Sequence, residues 1–309
     1  MKKEAALIKL IDIVKTNRIT YPLYRKMKSY QNSKRFNLNS INMFEPFAGG
    51  DEKIRFNLVL PTMRKTRVFA GISSAIDFFG RIAEDSDWRR VIVTGNEQFS
   101  QKDTFIIEGY KKEKTGQKTM QFASDDRLLE VNKNDVFVFT SWKTAYAFLP
   151  ILDWQIKTFS LTDRKSIYLI QDFEPGFYPW STEYALAEST YVSSNDRIVA
   201  VFNSQQLYTF FKEHGYMFAE EYYFRPGLNK KLKQFLMTGL QEGRALEKRK
   251  KRILIYGRPS EARNAFEIIR ASLEQWSSTY TDSKQWEIIS LGEGFENVKL
   301  TNNVIISKG

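Results

Sequence analysis

One short stretch of the chain concentrates residue types that could do chemistry. Residues 171–180 read Gln-Asp-Phe-Glu-Pro-Gly-Phe-Tyr-Pro-Trp and place the carboxylates Asp172 and Glu174 among several aromatic side chains. A positioned carboxylate can accept the proton of a reacting group or orient that group. The alternative is that Asp172 caps a turn, that Glu174 is solvated, and that the aromatic residues, Phe173 above all, belong to the core.

The elements on either side predict where this stretch lies. The apolar run Ile167–Ile170 indicates a buried strand, so residues 171–180 form a loop at the carboxyl end of that strand. Loops in this position usually carry the chemistry of α/β proteins. Pro175 and Gly176 redirect the backbone, and a helix begins near Ser181 with Glu183 in its first turn.

Strand and helix patterns alternate along the first two thirds of the chain. Apolar runs predict further strands at residues 55–61, 90–94, 135–140 and 197–202, and a short one at 105–107. Helices follow a glycine-bearing loop at 68–73, the predicted cap Ser141, and a cap at Asn203 or Ser204. This order predicts a doubly wound, mostly parallel sheet. The single histidine, His214, lies at a helix end and is predicted to be structural.

The pattern restarts after a basic connector. A strand at 252–256 leads into the loop Gly257-Arg258-Pro259, and further strands follow at 286–290 and 304–306. The helix between them is predicted to turn one apolar face inward; that face comprises Ala265, Ile268, Ile269, Leu273 and Trp276. We therefore predict a basic N-terminal extension (1–50), a Rossmann-like domain (51–228), a linker (229–252) and a partial, truncated second Rossmann-like domain (253–309).

The composition excludes several classes of site and favours certain kinds of binding partner. The 309 residues include no cysteine, which excludes disulfides and thiolate metal sites, and the formal net charge is +11. A basic surface attracts anionic lipid, phosphorylated small molecules or nucleic acid, and nucleic acid is the least favoured because no binding motif accompanies the charge. An amphipathic helix through residue 16 could face anionic lipid, although packing on its own domain is favoured. No apolar run approaches the ~18 residues of a membrane span, so we predict a cytoplasmic protein.

Five motifs together resemble a known family, and they occur in chain order. They are residues 55–61 (Arg-Phe-Asn-Leu-Val-Leu-Pro), 68–73 (Val-Phe-Ala-Gly-Ile-Ser), 171–179, 183–188 (Glu-Tyr-Ala-Leu-Ala-Glu) and 256–259 (Tyr-Gly-Arg-Pro). This set resembles the WsaF-type rhamnosyltransferases of rhamnan and S-layer glycan synthesis, which belong to glycosyltransferase family 4. The motif at 171–179 is the most specific of the five, and the match runs from about residue 54 to the end.

The resemblance implies a GT-B architecture and an activity. An acceptor-side domain would precede a domain that binds a nucleotide-sugar, dTDP-rhamnose, and transfer would be retaining and independent of metal or cofactor. The acceptor would be a growing polysaccharide or a lipid-linked glycan at the inner face of the membrane. The rival reading is a non-catalytic carbohydrate-binding or assembly subunit of such an enzyme.

The resemblance also implies roles for particular residues. Asp172 and Glu174 are the predicted catalytic pair, although the departing phosphate could act as the base and leave both carboxylates to bind sugar hydroxyls. Contacts with substrate are predicted for Tyr178, Ala70, Gly71 and Trp142, and Ala70 and Gly71 would let their loop approach the sugar diphosphate closely. Contacts with the nucleotide-sugar are predicted for Gly257, Arg258, Arg263 and Lys308. Arg258 is expected where the strand ends and its helix begins, and the alternative for it is a surface pair with Glu261. No metal ligand is predicted.

Overall fold

The computed structural model describes most of the chain from residue 41 onward. The described segments are residues 41–63, 70–86, 88–95, 113–114, 117–118, 120–122, 127–193, 195–225, 227, 230–241, 251–293, 297–301 and 305–308. The predicted N-terminal helix, the strand at 105–107 and residues 68–69 of the glycine-bearing loop lie outside these segments. The chain divides into two compact units, Met1–Pro226 and Gly227–Gly309.

A seven-stranded parallel sheet organises the first unit. The strands of this unit are β1 (Glu45–Ala48), β2 (Arg55–Leu60), β3 (Arg89–Val93), β4 (Glu113–Lys114), β5 (Gln117–Lys118), β6 (Met120–Phe122), β7 (Leu128–Val131), β8 (Asp135–Phe139), β9 (Ser166–Ile170), β10 (Ile198–Phe202) and β11 (Glu220–Tyr223). The sheet order is β11-β10-β9-β8-β2-β3-β6, and every neighbouring pair is parallel. The chain therefore starts in the middle of the sheet, builds one side, and crosses to the other at β8.

Helices cover both faces of this sheet. They are α1 (Ala70–Ile82), α2 (Trp142–Thr158), α3 (Thr182–Val192) and α4 (Gln205–Glu213). Successive side chains of a strand point to opposite faces. Val59 and Phe137 accordingly pack in a core with α2, α3 and α4, whereas Leu58 and Val138 pack with α1 on the other face. The predicted α/β fold class, with a Rossmann-like sheet domain first, is confirmed.

Part of the predicted N-terminal extension packs with the first unit. Strand β1 pairs in parallel with β7 in a small separate sheet. Ile41 and Phe44 are buried in the core beside α2, where the ring of Phe44 meets Phe148 edge-on. The sequence missed this element because β1 is short and lacks an alternating pattern.

A buried ionic network joins the amino ends of the central strands. Arg55 on β2 donates from Nε and Nη2 to the two carboxylate oxygens of Asp135 on β8, each at 2.7 Å. Arg90 on β3 donates to Asn57 at 2.7 Å and to the carbonyl oxygen of Glu130 at 3.0 Å. Its Nη2 lies 3.6 Å from the same Asp135 carboxylate. One buried carboxylate therefore compensates two buried guanidinium groups.

The second unit contains a smaller sheet. Helix α5 (Lys230–Gln241) precedes β12 (Lys251–Gly257), α6 (Phe266–Thr279), β13 (Trp286–Gly292), β14 (Val298–Lys299) and β15 (Ile305–Lys308). Strands β12, β13 and β15 are parallel neighbours, and β14 is antiparallel to β15. Helix α6 packs Leu273 and Trp276 on one sheet face, as predicted, but Ile268 is exposed. Within the described segments, no helix is both long enough and apolar enough to cross a membrane.

The first prediction concerns the buried carboxylate. Replacing Asp135 by asparagine should lower the free energy of unfolding by about 3–5 kcal/mol, because it leaves two buried arginines without their counter-charge. Urea denaturation measures the change. The control is Glu130→Gln, since that side chain also meets Arg55 but is 43% exposed, and it should cost less than about 1 kcal/mol. Equal losses in the two variants would contradict this account.

Candidate functional site

The carboxyl edge of the large sheet is the natural place for a site. Strands β2 and β8 are neighbours at the point where the strand order reverses. In open α/β sheets, ligands bind outside the carboxyl ends of strands at such a switch point. Three segments leave the carboxyl ends of the central strands. They are the segment after Leu60 at the end of β2, the Thr140–Ser141 turn from β8 into α2, and the loop that follows β9.

The loop after β9 carries the carboxylate motif and is anchored on one side by an aromatic ring. A short 3-10 turn spans Glu174–Phe177, and the hydroxyl of Ser181 caps α3 by accepting from the N–H of Tyr184 at 3.3 Å. The ring of Phe173 packs between Phe210 and Tyr191, at centroid distances of 5.1 and 6.3 Å. Phe173 is thus a core residue, as predicted, and it fixes the backbone beside Asp172.

A second anchor joins the same loop to the start of α2. The Oε2 atom of Glu174 accepts the backbone N–H of Trp142, the first residue of α2, and the hydroxyl of Tyr168 at 3.3 Å. Glu174 is partly exposed as a residue, but its carboxylate is enclosed. Burial raises its pKa to about 8, against the opposing effect of the two hydrogen bonds. The solvated alternative for Glu174 is therefore wrong.

Asp172 directly precedes the two anchoring residues, Phe173 and Glu174, and is exposed. Its Oδ1 accepts the backbone N–H of Phe173 at 2.9 Å, which is the turn-capping contact of the alternative reading. That contact also holds the carboxylate at the surface of the loop. Because Phe173 and Glu174 both point into the protein, the side chain of Asp172 is presented outward at the carboxyl edge of the sheet.

Two aromatic side chains beside the loop are joined to each other. The indole Nε1–H of Trp142 donates to the hydroxyl oxygen of Tyr178 at 3.0 Å, and the two rings meet edge-on at 6.0 Å. Trp142 is buried, whereas Tyr178 is only partly so. Trp180, two residues further on, is 82% exposed. The structure therefore places Trp142 behind Tyr178 rather than at the surface.

Ala70 and Gly71 are in the first turn of α1, not in the loop that the sequence predicted. A Cβ atom on Gly71 would lie 3.4 Å from Oε1 of Gln171, so the start of α1 approaches the first residue of the carboxylate motif closely. The side-chain amide of Asn203, at the end of β10, donates to the carbonyl oxygen of Gln171 at 3.1 Å. The structure thus brings Asp172, Glu174, Tyr178, Trp142 and Gly71 to one edge.

The predicted nucleotide-sugar residues of the second unit lie at the end of β12, in the segment that follows it, and at the end of β15. Gly257 ends β12, but α6 begins only at Phe266, so Arg258 is not at a strand-to-helix junction as expected. Its Nη2 donates to Glu261 at 3.3 Å, the pairing of the alternative reading. Arg263 lies in a 3-10 turn at 262–264, and Lys308 is the register partner of Ser290 at the end of β15.

Sequence reasoning missed Tyr168 and Gln171 as parts of this edge. Tyr168 is buried in β9, and its hydroxyl donates to Glu174. A tyrosine within an apolar strand could have indicated this contact, since a buried tyrosine usually finds a polar partner. His214 is exposed at the end of α4, with Nδ1 2.7 Å from the carbonyl oxygen of Phe210. This position agrees with the predicted structural role.

Comparison with known protein families shows which family the chain belongs to. A model described as the N-terminal domain of WsaF matches residues 55–205, and one described as the C-terminal domain of WsaF matches residues 251–308. Together they cover well over half of the chain. The chain belongs to the WsaF family. The predicted resemblance to WsaF-type rhamnosyltransferases is therefore confirmed, and the protein is glycosyltransferase-like.

The two WsaF matches also include the candidate site residues described above. The N-terminal match includes the loop with Asp172 and Glu174, and the C-terminal match includes Gly257, Arg258 and Lys308. A search of the curated proteins found no match.

The second prediction follows from the enclosed carboxyl group of Glu174. Because its pKa is raised from 4.5 to about 8, the folded protein holds one more proton than the unfolded chain between these values. Stability from this group is therefore lost as the pH rises through that window. Glutamine imitates the protonated form and does not titrate. The unfolding free energy of the wild type, relative to Glu174→Gln, should fall by on the order of 2 kcal/mol from pH 6 to pH 8.

Urea denaturation of both proteins at pH 6, 7 and 8 measures this difference. Taking the difference between the two proteins cancels the titration of every other group that the substitution leaves alone. A difference that stays constant with pH would show that the Glu174 carboxyl group is not enclosed in the folded protein.

Proposed function

We propose that this WsaF family member transfers rhamnose from dTDP-rhamnose to a growing cell-surface polysaccharide, with retention of configuration and without a metal ion, as a member of glycosyltransferase family 4. The observation that carries the proposal is the ordered match to both WsaF domains. It is supported by the anchored loop that presents a carboxylate at the carboxyl edge of the first sheet.

On the acceptor side, we assign the chemical role to Asp172. Its exposed carboxylate can orient the attacking hydroxyl or accept its proton. Glu174 was predicted to share this role, but its carboxylate binds the start of α2 and the hydroxyl of Tyr168. We therefore propose that Glu174 positions Asp172. Since Asp172 and Glu174 are only two residues apart in the same loop, a small displacement of Glu174 would move the reacting group, and such misplacement greatly lowers the rate.

The neighbouring aromatic residues supply binding surface. Tyr178 is held by the buried indole of Trp142, so its ring has a fixed orientation at the edge of the sheet. Trp180 is largely exposed and packs on Tyr184 at 5.1 Å. We propose that Tyr178 contacts the sugar acceptor and that Trp142 acts through Tyr178. Gly71, at the start of α1, lets the chain approach this substrate closely.

On the donor side, the departing diphosphate requires cationic and N–H partners. Arg258 can offer two parallel donors to phosphate oxygens. Its contact with Glu261 is a partly exposed pair at 3.3 Å, and such pairs are weak, so exchanging Glu261 for phosphate costs little. Arg263 and Lys308 are further candidates. Gly257 keeps the loop close to β13, because a Cβ atom there would lie 2.2 Å from the hydroxyl of Ser290.

The third prediction tests the catalytic carboxylate. Asp172→Asn should lower the turnover of dTDP-rhamnose by roughly 100-fold or more, since proton transfer and orientation by such a group contribute about that much. The unfolding midpoint should hardly change, because the side chain is exposed. A coupled assay of released dTDP measures turnover.

The matched control for this experiment is Asp163→Asn, an exposed aspartate before the amino end of β9. It should retain full turnover. Turnover of Asp172→Asn within threefold of the wild type would refute the assignment. Binding of dTDP-rhamnose without turnover by the wild type would favour the alternative, a non-catalytic carbohydrate-binding or assembly subunit.

The fourth prediction tests the donor side. Arg258→Ala should weaken the binding of dTDP roughly 10- to 100-fold, the value of a charge-assisted hydrogen bond. Isothermal titration calorimetry measures the affinity directly. Arg252→Ala is the control, because Arg252 lies at the opposite end of the same strand and pairs with Glu287. Equal affinities for wild type and Arg258→Ala would remove Arg258 from the donor site.

A further inference from the structure

Helix α5 has the pattern of an amphipathic helix. Its sequence is Lys-Lys-Leu-Lys-Gln-Phe-Leu-Met-Thr-Gly-Leu-Gln, from Lys230 to Gln241. Leu232, Phe235, Leu236 and Leu240 recur at spacings of three and four residues, so helical geometry places them on one face. The polar residues, lysine among them, occupy the remaining positions.

The apolar side of this helix is open in the structure. Phe235 is 75% exposed, and the next two residues, Leu236 and Met237, are 52% and 58% exposed. Single exposed apolar residues are common, but Phe235 and Leu236 are neighbours on the apolar face of an amphipathic helix, and together they form a patch that indicates a binding surface.

The charge around this patch is strongly positive. The first turn of α5 carries Lys230, Lys231 and Lys233, and the helix contains no acidic residue. Residues 230–252 include nine lysines and arginines against two glutamates. A basic amphipathic helix with phenylalanine and leucine on its apolar face is the kind of helix that lies in the plane of a membrane surface.

We propose that α5 docks on the surface of an anionic lipid bilayer. Phe235 and Leu236 enter the boundary between headgroups and acyl chains, and the lysines of the first turn meet lipid phosphates. Both parts of the helix then have a partner, since burial of apolar area and attraction to anionic lipid add together. The proposal does not depend on the transferase activity, although it would bring the chain to an acceptor that is carried by a lipid.

An alternative binding partner for the apolar face of α5 is the exposed face of the second sheet, which carries Leu254 and Leu291. The charges described on that face are those of Arg252 and Glu287, which pair with each other at 2.7 Å, and that of Lys299, the register partner of the exposed Ile305. That face therefore matches the apolar residues of α5 but not its lysines, whereas an anionic bilayer matches both.

The experiment is vesicle co-sedimentation with the full chain. Vesicles of phosphatidylcholine mixed with phosphatidylglycerol should bind it, and vesicles of phosphatidylcholine alone should bind it less. Replacing Phe235 and Leu236 by serine should lower the partition coefficient at least about tenfold, given the apolar area withdrawn from the bilayer. The control replaces Leu254 and Leu291 by serine and should bind as the wild type does.

A second variant tests the charge independently and leaves the apolar face intact. Changing Lys230, Lys231 and Lys233 to glutamine should lower the partition coefficient roughly fivefold per lysine. Added salt should weaken binding of the wild type and have less effect on this variant. Circular dichroism and the unfolding midpoint verify that each variant is folded.

Four outcomes would overturn the proposal. The first is a wild-type chain that does not bind the anionic vesicles, and the second is unchanged binding by both helix variants. The third is loss of binding in the Leu254 and Leu291 variant alone, which would locate the lipid contact on the sheet. The fourth is a wild-type dimer that the Phe235 and Leu236 variant dissociates without any vesicle binding, which would identify a second copy as the partner of α5.

Discussion

The shared carboxylate of Asp135 is the interaction on which the large sheet depends. It faces Arg55 from the central strand and Arg90 from the neighbouring strand, all three in the protein interior. A buried charge without compensation is expensive, so strands β2, β3 and β8 must align in the register that brings these groups together. The amino edge of the sheet is thereby fixed by ionic contacts. The carboxyl edge is left to hold the loops, and the predicted site lies there.

Neighbouring residues of the carboxylate loop have opposite tasks. Phe173 enters the aromatic core, and Glu174 binds the first N–H group of α2, while Asp172 stays exposed between β9 and these anchors. The position of Asp172 is thus set by two inward contacts that act at adjacent residues. An N–H at the start of a helix favours a negative acceptor, yet the enclosure of Glu174 favours its neutral form. The balance between these effects accounts for a carboxyl group whose pKa lies near neutrality.

Much of the fold was predictable from the sequence because its signals are local. Continuous apolar runs identified the buried strands, Ser141 was identified as a helix cap, and a second cap was identified as Asn203 or Ser204. The WsaF resemblance was likewise carried by contiguous motifs. The contact between Glu174 and Trp142 was not predictable, since it joins residues 32 positions apart and depends on which strands are neighbours.

The errors have similar physical causes. Gly71 was assigned to a loop because glycine favours turns, but α1 already starts at Ala70. Arg258 was expected beside a helix, yet an irregular segment with a 3-10 turn separates β12 from α6. Helical spacing alone placed Ile268 inside, whereas the orientation of α6 on its sheet leaves that residue exposed. Which side of a helix is covered depends on tertiary packing, and the period does not determine it.

The pairing of β2 with β8 has a consequence for how the chain reaches this fold. Arg55 and Asp135 are 80 residues apart, so the central strand can acquire that neighbour only after a long loop has closed. Contacts of this range slow folding. The entropic cost of closing the loop rises only with the logarithm of its length, about 0.6 kcal/mol for each doubling. Changes in the length of the connections between the strands from β3 to β8 should therefore be tolerated during evolution, while the strands themselves must keep their register.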